Sequence, residues 1–107
     1  SRPYECNFGI SRGNDVVPIQ VSLEPKMYDM ATETRQHRER DGVELLVDPT
    51  YCSAVAFVGT PMQRKLVGGD FVGPGEVVIR PAVVVDSGGE RCDVVTDVAT
   101  AAAKLYT

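Results

Sequence analysis

Tryptophan is absent from this 107-residue chain, histidine occurs once and cysteine three times. A single histidine, His37, leaves little room for general acid–base or nucleophilic catalysis, because those mechanisms most often recruit an imidazole and orient it with further groups. Cys6, Cys52 and Cys92 are far apart, with no Cys-x-x-Cys pair. A Cys3His zinc set with His37 would therefore need every ligand gathered from a distance, and neither a metal nor another cofactor is expected. The odd number of cysteines excludes a closed disulfide framework. The expected state is three small, mostly buried thiols in a reducing, cytoplasm-like compartment, with one bridge plus one free thiol as the alternative.

Long apolar runs are missing too. None approaches the roughly 20 residues that cross a bilayer, and the opening Ser1-Arg2-Pro3-Tyr4-Glu5-Cys6-Asn7 has no basic stretch leading into an apolar one. Neither a membrane partner nor a targeting segment is expected. Positive charge is in deficit, with 11 Lys and Arg against 15 Asp and Glu for a net charge of −4. That balance repels phosphate backbones and argues against nucleic acid as a partner. The length suits one β-rich domain over residues 1–107, able to remove roughly two-thirds of its unfolded surface from water.

What is abundant is alternation. Tyr4, Cys6, Phe8 and Ile10 alternate with polar residues and glycine, and Val17, Ile19, Val21 and Leu23 alternate with Pro18, Gln20 and Ser22. The turn formers of 11–15 between the two runs make a β-hairpin. Pro18 cannot donate to a ladder, so its strand should lie at an edge or turn that position away from its neighbour. Val43 to Val47 and Cys52 to Val58 read as two more strands joined at Asp48-Pro49. The second is apolar on both faces, which suits a central position where another layer approaches its alanines closely. Gln63 to Val67, Asp70 to Val72 and Glu76 to Arg80 follow between glycine-rich turns. Ala82 to Val85 comes after Arg80-Pro81, where a bulge would relieve the missing donor. Ser87-Gly88-Gly89-Glu90 reads as a hairpin loop.

Two segments break this pattern. From Glu24 to Asp41 the chain is at its most polar, and the spacing of Met27, Met30, Ala31 and Thr34 after Pro25 predicts a short amphipathic helix or a long loop near 25–41. Cys92 to about Thr96 alternates as a strand, and Ala99 to Lys104 then predicts a short C-terminal helix with Asp97 as its cap. The fold class expected is mainly β: a small sandwich or barrel of seven or eight short strands with these helical additions.

The candidate chemistry is thin. The cluster Gly68-Gly69-Asp70-Phe71-Val72-Gly73-Pro74-Gly75 lacks the spacing of a phosphate loop, and Asp70 would repel the anion. Asp93 and Asp97 would sit one helical turn apart, and Glu76, Asp86 and Glu90 flank strands; nothing local brings two of them to one cleft. His37 would pair with Glu33 or Asp41 at helical spacing. Arg35, Arg38 and Arg40 supply the only concentration of positive charge, interleaved with acids.

The reading that follows is a non-enzymatic structural or assembly protein acting through protein–protein contacts, with itself or another protein. An accessory component of a larger particle, such as a viral capsid, would be one setting. Tyr28, Arg35, His37, Arg38 and Arg40 are the candidate contact residues, and none is assigned a catalytic or metal-binding role. The alternatives are a small-molecule-binding barrel or sandwich with an apolar pocket lined from Phe57 and Phe71, and a hydrolase-like enzyme using His37. An acid within bonding reach of His37 would speak for the last of these.

Overall fold

The alternating runs become strands. The computed structural model describes residues 4–59, 63–67 and 75–106, with backbone alone at 63–67 and 75–77. It contains β1 (Glu5–Arg12), β2 (Asp15–Asp29), β3 (Gln36–Arg40), β4 (Val43–Asp48), β5 (Ser53–Phe57), β6 (Gln63–Val67), β7 (Gly75–Asp86) and one helix, α1 (Cys92–Lys104). Mainly β with a short C-terminal helix is therefore the architecture. In place of two packed layers of strands there is a single antiparallel sheet in the order β1-β2-β7-β5-β4-β3, with β6 paired to β7. Because β7 pairs with β2 at Val78 and Ile79 while β6 pairs there too, β6 and β5 occupy successive stretches of the same side of β7.

Prolines sit where the ladder can spare a donor. Pro18 lies opposite Gly9 of β1, beyond the point where β7 ends its pairing at Gln20, so an interior strand tolerates it. Pro25 and Pro81 meet at one irregularity, the register shift between Glu24 and Met27 of β2, opposite the step from Ala82 to Arg80 of β7. The bulge expected at Arg80-Pro81 is present, and it carries β2 through Pro25 as far as Asp29.

This continuity overturns the helix expected near 25–41. The stretch divides instead into the end of β2, a connection over 30–35, and β3 paired with β4. Asp41 and Gly42 both have positive φ, 53° and 78°. They form the two-residue turn whose twist matches paired strands, and that turn outweighs the weak helical spacing. Two further corrections lie at the other end of the chain. Residues 87–90 connect β7 to α1 rather than closing a hairpin. The helix starts at Cys92, several residues before the expected position, because Val94, Val95, Ala99 and Ala103 form one buried stripe. Asp97 is thus inside the helix and not its cap. The expected strand Asp70 to Val72, Phe71 and the glycine cluster of 68–74 lie outside the described residues.

The core is asymmetric about the sheet. On one face Val17, Ile19, Val43, Leu45, Ala54, Ala56, Val83 and Val85 pack against Val94, Val95, Ala99 and Ala103 of α1. The small Ala54 and Ala56 of central β5 let the helix approach closely, as their sequence pattern implied. Each branched side chain gains roughly 1.5–3 kcal/mol by leaving water, which holds a helix too short to be stable alone. On the opposite face a smaller cluster joins Leu46, Val55, Phe57 and Ala82, with Met27 and Val84 against it.

Cys52 and Cys92 form a disulfide with Cα atoms 4.4 Å apart, and Cys6 is an exposed free thiol. The expectation of three mostly buried thiols is therefore corrected, and with it the ground for a reducing compartment. The bridge ties the first residue of α1 to the turn between β4 and β5.

Candidate functional site

Two places stand out chemically, one on each face of the sheet. The first begins with Arg80 on β7, only 5% exposed. Register places Met27 of β2 opposite it. Its guanidinium lies 4.6 Å from the ring centroid of Phe57, a cation–π stack. Arg80 Nη1 donates to Asp29 Oδ2 at 3.1 Å, and Nη2 pairs with Glu44 of β4 at 2.7 Å. His37 Nε2 donates to the other Asp29 oxygen at 2.7 Å. Among the described residues the buried Arg80 Nε has no hydrogen-bond partner. This cluster joins β2, β3, β4, β5 and β7 through side chains alone.

The arrangement corrects the expected pairing of His37 with Glu33 or Asp41, because in a strand those residues are not neighbours of the imidazole. It also brings His37 to a carboxylate, the contact that favours chemistry. Three features set it apart from a catalytic dyad. The His37 side chain is 57% exposed; Asp29 is shared with Arg80; and among the described residues no serine, threonine or cysteine donates to the imidazole. A general base needs a proton donor or substrate site within reach and water excluded around it. The dish beside His37, lined by Arg38, Glu39 and Glu44, is open to solvent.

The remaining candidate contact residues do not form one patch. Tyr28, exposed, lies opposite Ile79 and so points away from the face that carries Asp29 and His37. Arg38 and Arg40 pair in register with Leu45 and Val43, and so turn to the helix side. Arg38 donates to Gln36 Oε1 and to the carbonyl of His37. Arg40 reaches Asp97 of α1, which also receives Arg12 at 3.6 Å. Arg35 lies near Asp48. Burial pushes the Asp48 carboxyl up, but the Tyr51 N–H, the Thr34 side chain, the Thr50 N–H and the Arg35 charge together hold it below its ordinary value. Asp93, at the start of α1, is likewise held low, chiefly by its hydrogen bond from Arg91.

The second place is apolar. Between α1 and the β1–β2 hairpin runs an open groove of about 440 Å³ lined by Cys6, Phe8, Val21, Val98, Ala101, Ala102, Leu105 and Tyr106. Phe8 is 44% exposed, Tyr106 57% and Leu105 84%. The groove lies alongside β1, one margin of the sheet. The other margin, β3, reads Gln-His-Arg-Glu-Arg and is exposed throughout, a charged edge of the kind that discourages pairing. β1 carries no lysine or proline. Phe8, Leu105 and Tyr106 escaped the sequence reading because each looks like an ordinary core or terminal residue until the open side of β1 is known. Asp29 and Arg80 escaped it because fifty-one residues separate them.

The arrangement therefore defines a mainly β protein with one helix seated on its sheet. Comparison with known protein families, with curated proteins and with solved structures finds no match. Among the described residues no helix is long and apolar enough to cross a membrane, and no three His, Cys, Asp or Glu side chains gather as a metal set. Two thiols of the Cys3His set considered above are joined to each other.

Proposed function

We propose that this chain is a non-enzymatic structural or assembly protein that works through protein–protein contacts. The observation that carries the reading is the coincidence, at β1, of a strand edge without lysine or proline with a groove that leaves Phe8, Leu105 and Tyr106 in water. Exposed aromatic side chains beside a strand at the margin of a sheet favour addition of another strand. One setting for such a unit is as an accessory component of a larger particle. Light scattering across the micromolar range is the test. A strict monomer at high micromolar concentration that binds no macromolecule removes this reading.

A second reading, a hydrolase-like enzyme, is favoured by the His37 to Asp29 hydrogen bond. Its open surroundings and the sharing of Asp29 with Arg80 support a clamp between strands instead. A panel of activated esters, turned over by the native chain and not by His37→Ala, would reverse that preference. For the small-molecule reading, Phe57 is packed against Arg80 in the second cluster, and the open groove at β1 is an apolar cavity. A thermal-shift screen against apolar ligands tests it.

A further inference from the structure

The geometry points to a second copy of this chain as the occupant of the β1 edge, paired antiparallel about a two-fold axis at Phe8; the inference rests on the assembly reading and specifies its partner. The turn between β1 and β2 has two residues, so Arg12 and Asp15 form its closing hydrogen-bonded pair. Alternate residues Tyr4, Cys6, Phe8 and Ile10 then direct their N–H and C=O groups to β2. Two observations fit this alternation independently. The Leu23 N–H donates to the Tyr4 carbonyl at 3.0 Å, and Pro18, with no N–H to give, lies opposite Gly9. The backbone groups that face outward belong to Glu5, Asn7, Gly9 and Ser11.

Side chains directly opposite one another in an antiparallel pair share a face. A sheet continued across a two-fold axis must keep apolar faces together and set outward groups against outward groups. Both conditions hold when Asn7 faces Gly9 of the second copy, Glu5 faces Ser11, and Phe8 faces its own symmetry mate. Phe8 then occupies a non-hydrogen-bonded position, where side chains come closest. About eight N–H···O bonds result, two at each hydrogen-bonded pair. Moving the axis to Asn7 or Gly9 also aligns the faces, but leaves one of the four outward residues unpaired, and the move to Gly9 sets Cys6 against Arg12. In the Phe8 register the helix side is apolar at its centre, with Cys6 opposite Ile10, and no like charges meet. Arg12 comes opposite Tyr4. The second Phe8 ring covers the mouth of the groove beside Leu105 and Tyr106.

Phe8→Lys and Phe8→Glu test both the surface and the register, each measured alone and as an equimolar mixture by sedimentation velocity, with thermal melts to verify folding. The wild-type chain should sediment at twice its 11.6 kDa. Each variant alone sets like charges opposite one another and should weaken association by about tenfold or more, and the mixture should recover it. Asn7→Pro, which removes an outward N–H and no β1–β2 hydrogen bond, should give the same loss as either single variant. Single variants that remain dimeric, or a mixture that stays monomeric, overturn the Phe8 register. Wild-type chain that associates but ignores all three substitutions removes this inference and leaves the assembly reading standing. Wild-type chain that stays monomeric and captures no macromolecule removes both.

Discussion

Neutralising Arg80 is the most informative perturbation of the clamp between strands. Arg80→Met keeps the apolar stem against Phe57 and removes the charge that Asp29 and Glu44 share. Glu44 is 60% exposed and rehydrates, so its pairing contributes about 0.5 kcal/mol. Asp29, only 16% exposed, keeps His37 but loses its buried partner. Removing one member of a buried pair costs about 3–5 kcal/mol when the other is left alone. With His37 and some water still available to Asp29, the expected loss is about 2–3 kcal/mol. Asp29→Asn should cost a similar amount, because it leaves a buried guanidinium held by Glu44 alone. In the double variant neither charge is stranded, so its loss should fall short of the sum by about 2 kcal/mol. Urea unfolding followed by far-ultraviolet circular dichroism reads all three. His37→Ala, whose bond is half in water, should cost less than about 1 kcal/mol. Additivity of the two single losses to within about 0.5 kcal/mol refutes the coupling, and the clamp with it.

Replacing both bridged cysteines, Cys52→Ala with Cys92→Ala, should lower unfolding free energy by about 4 kcal/mol from loop-closure entropy over a separation of 40 residues; a loss below about 1 kcal/mol in urea titration contradicts that tether. Intact-mass analysis after native maleimide labelling should find one adduct, at Cys6, and three after reduction and denaturation. Asp48 is held below its ordinary value of 3.8 in the folded chain. Its contribution is present above the unfolded value and lost as pH falls through the folded one, so the stability gap between wild type and Asp48→Asn should be constant from neutral pH to about 5 and narrow below about 4. A gap that widens on acidification contradicts the assignment. Leu45→Ala, beneath α1, should cost about 2–5 kcal/mol, whereas exposed Val16→Ala should change the urea midpoint little.

The parts of the fold that follow directly from residue order are those with one wet face and one dry face. Phe8 and Ile10 against Val17 and Ile19 announce a hairpin through period two alone, and the doubly apolar run around Ala54 and Ala56 announces a central strand. The stretch 24–41 misleads because β3 lies at a margin with every residue in water. It therefore has no alternation to display, and its real signature is the Asp41-Gly42 turn. Pro25 looked like a helix start because its partner in the bulge, Pro81, is distant in the chain. At 92–98, periods of two and of 3.6 both fit, and only the location of the sheet's dry face decides between them. The chemistry was less legible. Arg80 meets Asp29 across fifty-one residues, and the openness of β1 is a property of strand order.

Asp97 receives Arg12 from β1 and Arg40 from β3, the two outermost strands. The helix that bears it follows every strand of the sheet along the chain. Until α1 docks, the valine-lined side of the sheet has no cover and its flanking strands lack their ion pairs to Asp97, so the unfinished sheet is the species most exposed to misassociation. Seating of the helix is then a closing step: it dries the interior, engages the disulfide tether and buckles both borders to one carboxylate. Neither border can peel away afterwards without giving up its ion pair to that same carboxylate.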